Sequence, residues 1–164
     1  MKTLLLMRHA KSSFKEGDLP DFERPLSKRG EKDAPRMGKL LKEKDLEPDL
    51  ILSSTAQRAS QTAELVAEKC KYEREIVFVQ SFYLGEPDAY MSVLRDLDDE
   101  DADTVLVIGH NPGLESLLQM LTDKVESLPT SAIAHLELPI RTWKALNTEI
   151  IAHLKHLYRI RDIK

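Results

Sequence analysis

Several features that would place a chain in a specialised class are absent from this sequence. There is one cysteine, Cys70, so an internal disulfide is excluded and an oxidising compartment is not implied. The longest apolar runs are too short for a signal-peptide core or a membrane span, so we expect a cytoplasmic protein. Positive charge is not in excess: the formal net charge is −4, which argues against bulk binding to nucleic acid or to an anionic membrane.

The composition is instead that of an ordinary globular domain. Hydrophobic residues make up 41% and charged residues 32% of the 164 residues, which excludes a disordered chain and is enough for a substantial core. There is no internal repeat, low-complexity segment or linker, and we therefore expect one domain over residues 1–164. On a mildly acidic body, any site for an anion has to be a local concentration of positive charge.

Five segments have the character of β-strands. Residues 3–7, 50–53, 76–79 and 104–108 are short apolar runs, typical of strands buried on both faces, and residues 132–138 alternate between apolar and polar side chains. Helix-forming stretches separate most of these segments. The alternation predicts an α/β fold, a three-layer α/β/α sandwich with a mostly parallel central sheet.

The helix predicted over residues 28–44 has two candidate starting points. Ser27 is a suitable N-cap, but it leaves Pro35 inside the helix, where the missing N–H of proline is unfavourable. If Asp33 caps the main helix instead, Pro35 falls in the first turn, where its missing N–H costs nothing. The sequence leaves both alternatives open.

The other helices have clearer start signals. Thr55 is expected to cap one helix and Asp88 to begin another. Asn111 is expected to cap a third helix that has Pro112 in its first position. Residues 150–157 remain ambiguous, because their leucine and isoleucine spacing suits a helix although the segment could equally be an edge strand.

Two of the buried strands end in cationic or nucleophilic side chains. Arg8 and His9 follow the first predicted strand, His110 follows the fourth, and Arg58 lies in the first turn of the helix after the second. Because ligands bind at the carboxyl ends of strands in open α/β sheets, we expect these four side chains to converge. Two arginines and two histidines with no carboxylate between them predict an anion site. Phosphate is the anion whose oxygens best suit the planar fork of arginine.

These residue types suit phosphoryl transfer through a covalent intermediate. A neutral imidazole nitrogen of His9 can attack phosphorus, provided that a hydrogen bond to the other ring nitrogen turns the correct one toward the substrate. Arg8, Arg58 and a protonated His110 would then stabilise charge on the transferring group. The scheme needs no metal and no other cofactor.

The residues around these positions form an ordered series of motifs. The motifs are Leu-Met-Arg-His-Ala-Lys-Ser at 6–12, Arg-Pro-Leu-Ser-Lys-Arg-Gly at 24–30, Ile-Leu-Ser-Ser-Thr-Ala-Gln-Arg-Ala at 51–59, Gln-Thr-Ala at 61–63, Gly-His-Asn-Pro-Gly-Leu-Glu at 109–115 and Leu-Pro-Thr-Ser-Ala at 128–132. The series covers most of residues 3–138. It resembles that of the histidine phosphatase superfamily, in its small SixA-like phosphohistidine phosphatase branch.

This resemblance implies roles for individual residues. It implies that His9 is the nucleophile, that Arg8, Arg58 and His110 surround the phosphoryl group, and that Arg24 adds a further arginine to the phosphate pocket. It implies a phosphoglycerate mutase-like fold and favours the strand alternative near the C-terminus. The substrate it implies is phosphohistidine on a signalling or phosphotransfer protein.

The sequence departs from the family pattern where a general acid would be expected. It has no large insertion before His110, and Asn111 stands where other branches have aspartate. Glu86 is the best-placed candidate acid by sequence order, and Asp88 is the next. An imidazole leaving group departs far more readily than an alkoxide, so the contribution of an acid, about 10²- to 10⁴-fold, is less needed. The missing acid therefore favours a phosphorus–nitrogen substrate.

Two other functions stay open from the sequence. One is a phosphomonoesterase for a small metabolite, which an obvious acid in the pocket would favour. The other is a module that binds phosphate or a phosphoprotein without turnover, against which the intact His9 and His110 argue. A metal site is not predicted, because His153 and His156 lack an evident third ligand.

Overall fold

The short apolar runs form the strands of one sheet. The computed structural model describes residues 1–14, 18–98 and 102–163. The strands are β1 (Lys2–Arg8), β2 (Leu50–Ser54), β3 (Val77–Val79), β4 (Thr104–Gly109), β5 (Ile133–Leu138) and β6 (His153–Tyr158). Their order across the sheet is β3-β2-β4-β1-β5-β6, which places the two most apolar strands, β1 and β4, side by side in the centre.

The sheet is mostly parallel, as the sequence predicts. The β1–β4, β2–β4 and β2–β3 pairs are parallel, whereas β5 runs antiparallel to β1 and β6 antiparallel to β5. The carboxyl ends of β1, β2, β3 and β4 therefore share one edge of the sheet.

Helices cover both faces of the sheet. They are α1 (Lys28–Glu43), α2 (Gln57–Lys69), α3 (Pro87–Arg95) and α4 (Gly113–Thr122). Leu5 and Met7 of β1 pack in a core with α1 and α2, whereas Leu4 and Leu6 pack in a second core with α3 and α4. Alternate residues of one strand thus serve different layers, and the predicted three-layer α/β/α sandwich is confirmed. Among the described residues, no helix combines the length and apolar character needed to span a membrane.

The first of the two candidate starts of α1 is the one observed. The Ser27 hydroxyl accepts a hydrogen bond from the Gly30 N–H at 3.1 Å, which satisfies an amide of the first turn. Pro35 lies inside the helix. Asp33 is buried there between Arg29 and Arg36, both at 3.4 Å, so the alternative of an Asp33 cap is wrong.

Two other predicted caps are also wrong. The Thr55 hydroxyl donates to the side chain of Gln80, and α2 begins after Ala56 without a side-chain cap. The Asn111 amide donates to Glu115 and to the Leu128 carbonyl instead of capping α4, which starts at Gly113. In both cases a long-range partner competes successfully with the local helix amides.

The ambiguous C-terminal segment is the edge strand β6. Its register with β5 contains a bulge. His156 pairs with His135 and Leu154 pairs with Leu136, so Lys155 between them has no pairing partner on β5. The bulge brings Leu154 and Leu157 to the same core although they are three residues apart. This irregularity explains why the apolar spacing of the segment imitates that of a helix.

Candidate active site

The predicted site residues lie at the edge formed by the carboxyl ends of β1, β2 and β4. Arg8 is paired in register with Gly109, so His9 and His110 leave the sheet as neighbours. Their ring centroids are 5.1 Å apart, and the main-chain N–H of His9 donates to the Gly109 carbonyl at 3.2 Å. Arg58 is buried at the start of α2 and reaches the same edge. The predicted convergence of these four residues is therefore observed.

His9 is held with one ring nitrogen engaged. Its Nδ1 lies 2.7 Å from the Ala10 carbonyl oxygen, which can only accept, so Nδ1 carries the proton and Nε2 keeps its lone pair. The Ala10 N–H in turn donates to the Thr62 hydroxyl at 3.0 Å, which fixes this turn against α2. Burial lowers the pKa of His9 to about 3. The ring is therefore neutral near pH 7, as a nucleophile has to be.

His110 is also buried and neutral. Burial is the main cause that lowers its pKa to about 4, with a further contribution from Arg58. Its Nε2 lies 2.8 Å from the Ser54 hydroxyl, and its main-chain N–H donates to the Tyr90 hydroxyl at 3.3 Å. The prediction of a protonated His110 is therefore wrong. In this form of the site the ring is an uncharged hydrogen-bonding group.

A carboxylate joins the arginines, contrary to the expectation of a site without one. Arg58 donates to the Asp21 main-chain oxygen at 2.8 Å and to Oδ2 at 3.1 Å. Arg24 donates to Asp21 Oδ1 at 2.8 Å and also to the Ser12 hydroxyl. The Phe14 ring stacks on the Arg24 guanidinium at 3.9 Å. Asp21 therefore ties the loop before α1 to the start of α2.

Tyr83 completes this cluster and was missed by the sequence analysis. Its hydroxyl donates to Asp21 Oδ2 at 2.6 Å, and its ring meets that of His110 edge-on with centroids 5.6 Å apart. The hydrogen bond from Tyr83, followed by Arg58 and Arg24, holds the pKa of Asp21 below its usual value. The only local sequence signal for this cluster was that Asp21 stands three residues before Arg24, a spacing at which the two side chains can form an ion pair.

Arg8 is anchored from the opposite side of the site. Its guanidinium donates to the Leu128 carbonyl at 3.2 Å, and burial lowers its pKa while the nearby Glu115 opposes the shift. Glu115 accepts from the Leu128 N–H at 2.6 Å and from the Asn111 amide at 3.0 Å. Asn111 and Glu115 therefore fix the segment that positions Arg8.

These side chains surround a cavity of about 210 Å³. Its polar lining consists of Arg8, His9, Lys11, Ser12, Arg24, Arg58, His110, Asn111 and Thr130. With both histidines neutral, four cationic side chains line a space that suits one tetrahedral oxyanion. The cavity is the local concentration of positive charge that an anion site on this acidic chain requires.

The candidate acids are not in this cavity. Glu86 lines an adjoining cavity of about 300 Å³, which shares His110 and Asn111 with the first. Asp88 lies in the first turn of α3 and lines neither cavity. In the part of the chain that the structure describes, no cluster of three or more histidine, cysteine, aspartate or glutamate side chains is placed to hold a metal.

Comparison with known proteins places this geometry in a family. The model of the histidine phosphatase superfamily (branch 1) matches residues 4–79. An uncharacterised chloroplast protein of Arabidopsis thaliana is 32% identical over 87% of this chain and 69% of its own length. SixA from Agrobacterium tumefaciens is 26% identical and has a TM-score of 0.81, covering 96% of this chain and 97% of that one. The protein histidine phosphatase SixA in complex with tungstate has a TM-score of 0.83 at 24% identity, covering 99% of both chains.

These similarities extend beyond the motifs. The matched residues 4–79 contain most of β1, both arginines of the Asp21 cluster and all of α2. The structural superpositions cover nearly the whole chain, including β6, and confirm the phosphoglycerate mutase-like fold. The chain belongs to the histidine phosphatase superfamily, and within it resembles the SixA branch.

Proposed function

We propose that this protein is a metal-independent phosphatase that hydrolyses phosphohistidine on a phosphotransfer or signalling protein, through a phosphorylated His9. The proposal treats residues 1–164 as one catalytic domain working in the cytoplasm. The observation that carries it is the state of His9. The ring is neutral, its Nδ1–H is bound to the Ala10 carbonyl, and its Nε2 lone pair is available beside the arginines. This is the condition that nucleophilic attack on phosphorus requires.

The proposed reaction has two displacements. In the first, His9 Nε2 forms a bond to phosphorus, and the bond from phosphorus to the substrate imidazole breaks with its electron pair. The substrate ring leaves as neutral imidazole if its other nitrogen already carries a proton. In the second, water attacks phosphorus, the bond to Nε2 breaks with its electron pair returning to the ring, and phosphate leaves as the dihydrogen ion with both protons of the water. The Ala10 carbonyl accepts the Nδ1–H throughout and stabilises the positive ring of the intermediate.

Arg8, Arg24 and Arg58 act on the phosphoryl oxygens in this proposal. Charge builds up on those oxygens in the transition state, and fixed cationic donors in a buried cavity stabilise it without reorganising. A SixA protein of the same fold forms a complex with tungstate, an oxyanion, which agrees with an oxyanion as the ligand proposed here. His110, whose ring centroid lies 5.1 Å from that of His9, hydrogen-bonds the same group in this proposal.

The position of Glu86 agrees with the proposed leaving group. It lines the cavity next to the phosphate cavity but not the phosphate cavity itself. A substrate whose leaving group needs no acid suits this arrangement. We therefore expect Glu86→Gln to leave phosphohistidine hydrolysis within a few-fold of the unaltered protein.

The test compares two substrates with chelator present. Phosphate release is measured from a phosphohistidine-bearing phosphotransfer protein and from an aryl phosphate, for the unaltered protein, His9→Ala and His153→Ala. The exposed His153 is a matched control on β6. We expect fast release from the phosphohistidine, slow release from the ester, none with His9→Ala and full activity with His153→Ala. Full activity of His9→Ala would contradict the proposal.

The second candidate is a phosphatase for a small ester. The cavity of about 300 Å³ beside His110 favours it, because that cavity has room for an organic leaving group and Glu86 on its wall. Fast turnover of the ester alone, with a large loss in Glu86→Gln, would support this candidate. Phosphate binding without release from either substrate would instead indicate the non-catalytic binding module.

A further inference from the structure

Two exposed apolar side chains lie at the mouth of the phosphate cavity. Phe14 is 71% and Leu84 68% exposed, although both border the cavity. The backbone of Leu84 is in the left-handed region, at φ 55°, which a leucine rarely adopts. Such conformations persist where the surrounding structure enforces them, and they cluster at binding sites. Neither side chain can donate a hydrogen bond to phosphate, and although Phe14 stacks on Arg24, both side chains keep most of their apolar surface open to a further partner.

A mainly basic groove continues from this mouth along the start of α1. It is a cavity of about 440 Å³, and Lys11 lines both it and the phosphate cavity. Lys28 and Arg29 also line the groove, against one carboxylate, that of Glu31. This concentration of cations stands out on a chain with a net charge of −4.

We propose that Phe14, Leu84 and the basic groove form a docking surface for a folded protein, namely for the acidic face around its phosphohistidine. The inference rests on the proposed function and extends it to recognition of the substrate protein. A small phosphate ester that fills the cavity leaves Phe14 in water, and an organic leaving group in the adjoining cavity reaches only Leu84, which lines both cavities. A protein face that delivers a phosphohistidine would bury both, and acidic groups around it would meet Lys11, Lys28 and Arg29.

The chain offers matched control positions for both parts of this surface. Ile151 is 64% exposed and precedes β6, whose first residue pairs with Glu137 near the amino end of β1. It therefore lies at the opposite edge of the sheet from Leu84. Lys39 is exposed on α1, three turns after Lys28.

The test variants are chosen to keep the fold and the polar side chains of the cavity intact. Lys28→Glu places a carboxylate in the first turn of α1, where the helix dipole favours it, so the helix should not weaken. Leu84→Ala removes an exposed side chain and keeps the backbone preference of an L-residue. Phe14 is left unchanged because its ring stacks on Arg24.

The experiment measures kcat/KM on two substrates that share one chemistry, an acidic phosphohistidine-bearing phosphotransfer protein and free phosphohistidine. We expect Leu84→Ala and Lys28→Glu each to lower kcat/KM on the phosphoprotein about tenfold, while free phosphohistidine changes less than about twofold. The Lys28→Glu loss should shrink when the ionic strength rises from about 0.05 to about 0.5 M. Ile151→Ala and Lys39→Glu should behave like the unaltered protein on both substrates.

The outcomes separate this proposal from the proposed function. Equal losses on both substrates, equal losses in the control variants, or no loss at all would overturn the docking surface while leaving phosphohistidine hydrolysis in place. A failure of the unaltered protein to release phosphate from either substrate would overturn both. Thermal unfolding of each variant shows whether a loss reflects the fold, and a variant that unfolds early is replaced by Leu84→Ser or Lys28→Gln.

Discussion

Burial decides the protonation of His9 and His110, and this has a consequence that can be measured directly. The pKa of His9 is lowered to about 3 and that of His110 to about 4, from an ordinary value of 6.5. We therefore expect the ring Cε1 protons of both residues to show no titration between pH 5 and pH 8 by NMR. A titration midpoint between 6 and 7 for either ring would contradict this prediction, and His9→Gln and His110→Gln assign the two signals.

The same shifts fix the sign of the pH dependence of stability. Because the folded pKa lies below the unfolded value, the unfolded chain binds protons first as the pH falls. The stability contributed by neutral His9 and His110 is full above about pH 6.5 and is lost as the pH falls toward their folded pKa values. The free energy of unfolding should therefore decrease between pH 7 and pH 5, and less steeply in His9→Gln.

Individual site residues differ in how far the sequence could predict them. His9 and His110 follow apolar strands directly, so topology alone brings them together. Asp21 and Tyr83 do not, because Asp21 contacts Arg58 across 37 residues and Tyr83 across 62 residues of sequence. Both lie in connecting segments, whose paths no periodicity predicts. The sequence therefore predicted the cationic side chains of the site but not the carboxylate and the tyrosine that bind them.

The element that positions His110 is the end of β4, and its packing depends on a glycine. A Cβ atom at Gly109 would overlap the Tyr90 hydroxyl and lie 3.0 Å from two of its ring carbons. Tyr90 is fully buried, packs on Phe82 and accepts the His110 N–H, so it cannot move aside cheaply. The absence of a side chain at this position is thus a requirement of close approach.

We accordingly predict that Gly109→Ala destabilises the protein by about 1–3 kcal/mol, the usual cost of overpacking a core. It should also reduce phosphate release, because it displaces His110. The cost in unfolding free energy should be smaller in a Tyr90→Phe background, which lacks the atom nearest to the new methyl group. Urea unfolding of the two single variants and the double variant measures this, and equal costs in both backgrounds would contradict the clash.

Elements were predicted more reliably than their ends. The apolar runs of β1, β2 and β4 identify the central sheet because burial on both faces leaves no polar positions. The helix caps failed where a competing partner was far away in sequence, as with Thr55 and Gln80 or with Asn111 and Leu128. The bulge in β6 could not be predicted for a related reason, since it exists only in the pairing with β5.

Across the whole molecule, β1 divides the interior into two cores. Leu5 is fully buried against the α1 and α2 layer, and Leu6 is fully buried against the α3 and α4 layer. Neighbouring leucines therefore report on opposite halves of the protein. A sheet with only one covered face would instead leave one of the two in water.

Truncation of these two leucines tests whether both layers are packed in solution. Leu5→Ala and Leu6→Ala should each lower the free energy of unfolding by about 2–5 kcal/mol, because each leaves a cavity in a dense core. Ile151→Ala, at an exposed position, should change it by less than about 0.5 kcal/mol. Urea unfolding at pH 7 gives all three values. A large cost for one leucine and a small cost for the other would mean that one helical layer is loosely packed, which would contradict a sheet covered equally on both faces.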